Sequence, residues 1–255
     1  MTDPVTVTRL DDGAWWRVAI GGSKGNVLDG ALMDRLTQVF DDARGAASLK
    51  AIVLEGQGAH FSFGASVQEH LPDQVAGMLD RFRRVLLALL DSSVVVLGAV
   101  RGQCLGGGLE LVTVCHRIFA APDARFGQPE IALGVFAPAA SIVLAERIGR
   151  AHAEDLCLTG RVIGASDALG MGLVDELADD PAEMALAWAR THLADRSATS
   201  LRLAVRAIRA DLLAKLRAEL PQAEHLYLHE LMATADANEG LRAFLEKRRP
   251  AWRNA

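Results

Sequence analysis

Short apolar strands alternate with amphipathic helices as far as Ala137, and beyond that point only helical spacing remains. β-Prone residues alternate at Val5-Thr6-Val7-Thr8 and again at Trp15, Arg17 and Ala19, around an Asp11-Asp12-Gly13 turn. Residues 30–44 carry Leu32, Leu36, Val39 and Phe40 on one helical face. Ala51-Ile52-Val53-Leu54, closed by Gly56 and Gly58, is an unbroken apolar run, as is Val94–Val100. Such runs fit strands buried on both faces. The spacing predicts a helix from about Gln74 to Leu90 and a further strand at Arg117–Ala120. Segments 138–148, 151–158, 166–170, 181–194, 198–217 and 222–247 all read as helix. The alternation predicts an α/β core over residues 1–195, with a mainly parallel sheet and covering helices, and an all-helical part over 196–255.

A chain of 255 residues, 51% hydrophobic and 23% charged, can bury a substantial core. Its net charge of −5 disfavours a nucleic-acid partner. The basic cluster Lys247-Arg248-Arg249 closes an amphipathic helix and reads as a solvated helix end or subunit contact. Cys104, Cys115 and Cys157 lie in apolar settings and are expected as reduced thiols. The first residues lack the basic and apolar regions of a secretory signal. The longest apolar runs are too short to cross a bilayer. A soluble cytoplasmic protein without a membrane partner is expected.

The chemistry concentrates in Gly106-Gly107-Gly108-Leu109-Glu110 and in Phe126-Gly127-Gln128-Pro129-Glu130. Glycines after a buried strand let the backbone come close to a ligand. If a helix starts at Gly107, its first amides have no intrahelical acceptor and can hold a developing negative oxygen. The same glycines would also serve plain helix–sheet packing. Glu110 has the apolar neighbours Leu109, Leu111 and Val112, which places it against a partly dry space, although a first-turn glutamate also complements a helix dipole. Glu130 follows Pro129 and by itself fits an exposed loop carboxylate. Two carboxylates flanking one reacting centre can divide acid and base roles. No Gly-x-Gly-x-x-Gly sits at a first strand–helix turn, so a dinucleotide fingerprint is absent.

Taken together, the motifs resemble the crotonase (enoyl-CoA hydratase/isomerase) superfamily along nearly the whole chain. They run from Asn26-Val27-Leu28 through Phe63-Gly64-Ala65, the glycine triplet with Glu110, and Gln128-Pro129-Glu130. Leu158-Thr159-Gly160-Arg161, residues 165–174 and Glu239-Gly240-Leu241 through Arg248 follow in order. The resemblance implies a crotonase-like fold, built from repeated ββα units with parallel sheets and a C-terminal helical part used for trimerisation or as a lid. It also implies an acyl-CoA thioester whose carbonyl oxygen sits between the N–H groups of Ala65 and Gly107. Hydratases of the family handle one water with two glutamates, matched here by Glu110 and Glu130. In that reading Glu110 orients or deprotonates the water and Glu130 exchanges a proton with the substrate carbon. No metal or redox cofactor is implied, since CoA is part of the substrate. A homotrimer or homohexamer is.

Departures from the straight-chain pattern bear on the acyl group. Ser66 stands where an aspartate is usual, and Gly134-Val135-Phe136-Ala137-Pro138-Ala139-Ala140-Ser141 replaces a glycine-rich stretch. Both segments are expected to line the acyl pocket, and both resemble hydratases of cyclic dienoyl-CoA thioesters. The expected substrate-binding set is Lys24, Val27, Phe63, Gly64, Ser66, Gly106, Phe136 and Pro138, with Lys24 facing the CoA phosphates or simply solvated. His70 lies within reach of a pocket mouth, and a plain loop role is preferred for it. Tyr227 and Trp252 read as core or interface packing.

Overall fold

The computed structural model describes residues 3–255. β1 (Val5–Leu10) and β2 (Trp15–Ile20) pair antiparallel around a 3-10 turn at Asp11–Gly13. α1 (Gly30–Gly45) leads to β3 (Ala51–Gly56), and α2 (Val75–Asp91) leads to β4 (Val95–Val100). β5 (Gln103–Leu105), α3 (Gly107–Thr113), β6 (Arg117–Ala120) and β7 (Arg125–Gly127) follow. α4 (Ala140–Ile148), α5 (Arg150–Thr159), β8 (Val162–Gly164), α6 (Ala165–Gly170) and β9 (Glu176–Leu177) come next. α7 (Pro181–Leu193), α8 (Ala198–His229) and α9 (Ala235–Leu245) complete the chain.

The main sheet has the order β1-β2-β3-β4-β6-β9, parallel everywhere except between β1 and β2. A second sheet, β5-β7-β8, carries the strands that lead into the glycine triplet and into the segment of Glu130. Side chains alternate across the main sheet. Ala51, Val53, Leu97 and Phe119 pack under α7, while Ile52, Leu54, Val96 and Val100 join the larger core on the other face. Burial on both faces is why these strands are continuously apolar. On that larger side α2 buries Met78, Phe82, Val85, Leu86 and Leu89 at helical spacing. Each such side chain contributes about 1.5–3 kcal/mol.

Two expectations are corrected. Strands do not end at Ala137, because β8 pairs with β7 and β9 with β6. Strands of two or three residues carry no readable alternation and exist only through their partners. The segment expected as one helix over 222–247 is divided differently. α8 runs unbroken through Pro221, and the break falls later, at a 3-10 turn over Leu231–Ala233 before α9, which Thr234 caps. Pro221 removes one helical hydrogen bond and costs about 3 kcal/mol. Burial of Leu216, Leu220, Glu224 and Tyr227 along one face of α8 offsets that cost. α8 packs on α2 and α9 packs on the 3-10 turn Pro129–Leu133, so the C-terminal helices cover the glutamate segment of their own chain.

Candidate active site

The loop after β3 is set by one buried side chain. Asn26 sits in the left-handed region at φ 50° and donates its amide to the carbonyls of Gln57, His60 and Phe61, at 2.8–3.2 Å. Its own carbonyl accepts the Ser62 hydroxyl at 2.8 Å, and that hydroxyl accepts the Gly64 amide at 3.0 Å. Leu28 and Ala65 then meet in a parallel bridge. This chain of bonds delivers the Ala65 N–H beside the start of α3, where the Gly107 N–H is one of the helix's orphan donors. A Cβ on Gly107 would lie 3.3 Å from the Ala65 nitrogen, so the two amides converge. Neither donates to an acceptor among the described residues. They form a pair of preorganised donors of the kind that holds an oxyanion.

The glycine triplet serves both purposes that its sequence left open. Gly106 adopts φ 50°, and a Cβ there would overlap a Glu130 carboxylate oxygen. A Cβ on Gly108 would sit 2.8 Å from that of Ser62, so Gly108 allows close helix–loop packing.

Glu110, on the first turn of α3, is 5% exposed, and its Oε1 accepts the Ala140 amide at the start of α4 at 2.6 Å. Burial pushes it up to about 7, against the opposing amides of Ala140 and Ala139. Glu130 lies on the 3-10 turn Pro129–Leu133, and its Oε2 is buried without a partner. Burial, and then the charge of Glu110, push it up to about 8. The pair gives up its protons in two neighbouring steps near neutrality. One carboxyl can therefore hold a proton while the other accepts one, as acid–base chemistry needs.

A cavity of about 30 Å³ joins these groups. Ala65, Gly107, Glu110 and Glu130 line it, together with Phe136 and Pro138. α2 and α8 contribute to the wall through Phe82, Leu220, Glu224 and Tyr227 among others. The space is large enough for a water molecule.

The remaining sequence-derived residues divide. Gly64 (φ 98°) and Gly106 shape the backbone of the two loops. Phe63 is not on the cavity. It is largely exposed, lies against Gly25 and meets the His60 ring edge-on at 4.9 Å. Ser66 is not on this cavity either: its amide donates to the Leu28 carbonyl, and its own carbonyl accepts from the His70 ring at 2.8 Å. His70 takes its place on the wall, because a 3-10 turn over Val67–His70 swings it inward. Lys24 is exposed in a turn, and the Val27 amide donates to the Ser23 hydroxyl outside the cavity. Trp252 packs over Gly134 and Gly240.

Sequence reading missed four contributors. Ser62 and Asn26 position the loop, and Glu224 and Tyr227 reach the cavity from α8. Glu224 pairs with Arg83 of α2. An unusual glutamate on the buried face of a helix was the one available signal.

The comparisons agree with this geometry. Residues 22–255 match the enoyl-CoA hydratase/isomerase family. The chain is 49% identical to the cyclohexa-1,5-dienecarbonyl-CoA hydratase of Thauera aromatica, over 99% of this chain and 98% of that protein. It is 33% identical to the 2,3-dehydroadipyl-CoA hydratase of Escherichia coli K12, with 88% and 89% covered. A crystal structure of an enoyl-CoA hydratase/isomerase from Pseudoalteromonas atlantica superimposes with a TM-score of 0.85 at 25% identity, covering 98% of this chain and 99% of that one. With two buried glutamates and two neighbouring free amides on one cavity and a family match over almost its whole length, this chain belongs to the enoyl-CoA hydratase/isomerase family.

Proposed function

We propose that this protein adds water to a conjugated ring thioester, taking cyclohexa-1,5-diene-1-carbonyl-CoA to 6-hydroxycyclohex-1-ene-1-carbonyl-CoA. The observation that carries the reading is the placement of two buried carboxylates and two free amides around one cavity. The ring substrate is supported by similarity to the Thauera hydratase over nearly the full length of both chains.

The thioester oxygen accepts the Ala65 and Gly107 N–H groups. Glu110 takes a proton from water as its oxygen bonds to the ring carbon β to the carbonyl. The electron pair of that double bond moves through the second ring double bond and the carbonyl as a dienolate, whose charge the two amides hold. Glu130 returns a proton at the far end of the diene, leaving one double bond conjugated to the thioester. One water is consumed and no electrons are exchanged with a third species, so the reading requires neither metal nor redox cofactor. Phe136 and Pro138 would contact the ring, and Lys24, Val27 and Phe63 would lie towards CoA. The same reading expects a homotrimer or homohexamer in the cytoplasm.

Mass spectrometry after incubation with the ring dienoyl-CoA, and separately with crotonyl-CoA, tests this. Gain of one water on the ring thioester is the expected result. Hydration of crotonyl-CoA alone would keep the chemistry and discard the ring. No reaction with either would overturn the proposal.

A further inference from the structure

The cavity holds a polar group that the two-glutamate reaction does not use. Tyr227, the only tyrosine in the chain, is 1% exposed on α8, and its hydroxyl is buried with no hydrogen-bond partner. A buried, unpaired hydroxyl costs about 1–3 kcal/mol and calls for a cause. Glu130, on the wall of the same cavity, has its Oε2 in the same condition. The two atoms come from separate parts of the chain and do not bond each other. A small group that both donates and accepts, placed between them, would satisfy both.

The other polar side chains on the wall are already engaged. His70 uses Nδ1 on the Ser66 carbonyl, and burial holds its ring below the usual imidazole range. Glu224 is paired with Arg83, and Glu110 accepts from Ala140. Tyr227 is thus the neutral donor left to point inward. Its ring is held at an angle of 62° to Phe136, with centroids 5.3 Å apart, so the hydroxyl has little freedom to turn away. The charges of Glu130 and Glu110, after burial, push the phenol upward, which keeps it protonated as a donor.

We propose that Tyr227 is a third catalytic residue of the hydration site, its O–H donating to the oxygen atom that becomes the hydroxyl of the product. This rests on the hydratase reading above. A water oxygen has two protons and two lone pairs. Glu110 takes one proton, the other stays on the oxygen as that of the product hydroxyl, one lone pair attacks carbon, and the second lone pair accepts Tyr227. All four positions are then assigned, and the attacking pair has one direction left. In the reverse reaction the same contact supports the departing hydroxyl.

Tyr227→Phe removes only this oxygen and keeps the ring against Phe136. On whichever thioester the wild type hydrates, kcat should fall about 10–100-fold with KM changed less than about threefold, as expected for one lost hydrogen bond to a reacting oxygen. Calorimetric affinity for the hydroxylated product thioester should fall about tenfold, and that for the saturated thioester without a hydroxyl should stay unchanged. Because Tyr227 is the sole tyrosine, incorporation of 3-fluorotyrosine places one fluorine reporter at this position in otherwise native protein. Its resonance should shift with the hydroxylated thioester and not with the saturated one. A wild-type enzyme that hydrates its substrate alongside a Phe variant of equal kcat and equal product affinity overturns the role of Tyr227 alone. A wild type that hydrates nothing removes the hydratase reading and this role with it.

Discussion

Replacing Glu110 with Gln separates the stability of the site from its chemistry. The glutamine keeps an acceptor for the Ala140 amide, which Glu110 Oε1 engages at 2.6 Å, and removes a titrating carboxyl. Burial raises that carboxyl from 4.5 to about 7 in the folded protein. A folded-state pKa above the unfolded value means that its stabilising contribution is complete below about pH 4.5 and is lost as the pH rises through about 7. At 1.36 kcal/mol per pKa unit, the loss is about 3 kcal/mol. The variant does not titrate there, so it gains about that much on the wild type across the window. For a chain of this size that corresponds to roughly 5–10 °C in Tm. Removing the Glu110 charge also relieves Glu130, which adds in the same direction. Thermal unfolding followed by circular dichroism near pH 4 and near pH 8.5 measures the effect. The two proteins should melt together at the lower pH, and the variant should melt higher at the upper one. An equal Tm difference at both pH values would refute burial of a chargeable carboxyl as the cause. Turnover in the same variant should fall by at least about 10², so stability rises as catalysis is lost.

Four further outcomes are expected. Glu130→Gln should also lower turnover by at least about 10² while leaving thioester binding intact, measured by single-turnover kinetics and calorimetry. The profile of kcat/KM against pH should be a bell with its maximum between about 7 and about 8, since the acid–base pair needs a single proton; a flat profile from pH about 6 to 9 would contradict it. Gly64→Ala places a Cβ 2.9 Å from the Leu105 carbonyl at φ 98°, displacing the Ala65 amide, and should reduce kcat by roughly 10²–10³, the effect of losing one oxyanion donor. Arg83→Met leaves the buried Glu224 without its cation and should cost close to 3 kcal/mol in denaturant unfolding, the lower end for such pairs because Arg83 is partly solvated.

Long-range periodicity was readable because burial is written into composition. The hairpin, β3, β4, α1 and α2 all followed from apolar spacing, since each buries several side chains and needs them in register. β5, β7, β8 and β9 were not readable, because two or three residues hold no period and a glycine in such a strand has no side chain to reveal its face. Pro221 misled for a related reason. Local propensity marks a break there, while the cost of the proline is offset by packing along the buried face of α8.

The catalytic pieces divide along the same line. The glycine triplet, Glu110, Glu130 and the Ala65 segment each fit a packing or solvated role when taken alone, and were identifiable as chemistry through the resemblance of their motifs, in that order, to the crotonase superfamily. That Ser66 turns away while His70 turns in depended on a single 3-10 turn, and hydrogen bonds formed by folding set its direction. That Tyr227 and Glu224 close the cavity was decided by α8 lying across α2, a contact between residues more than a hundred positions apart. Residue types can be read one at a time, but which buried polar atoms lack a partner is a property of the assembled interior. Only the tertiary structure could place an unsatisfied phenol and an unsatisfied carboxylate on the wall of one cavity.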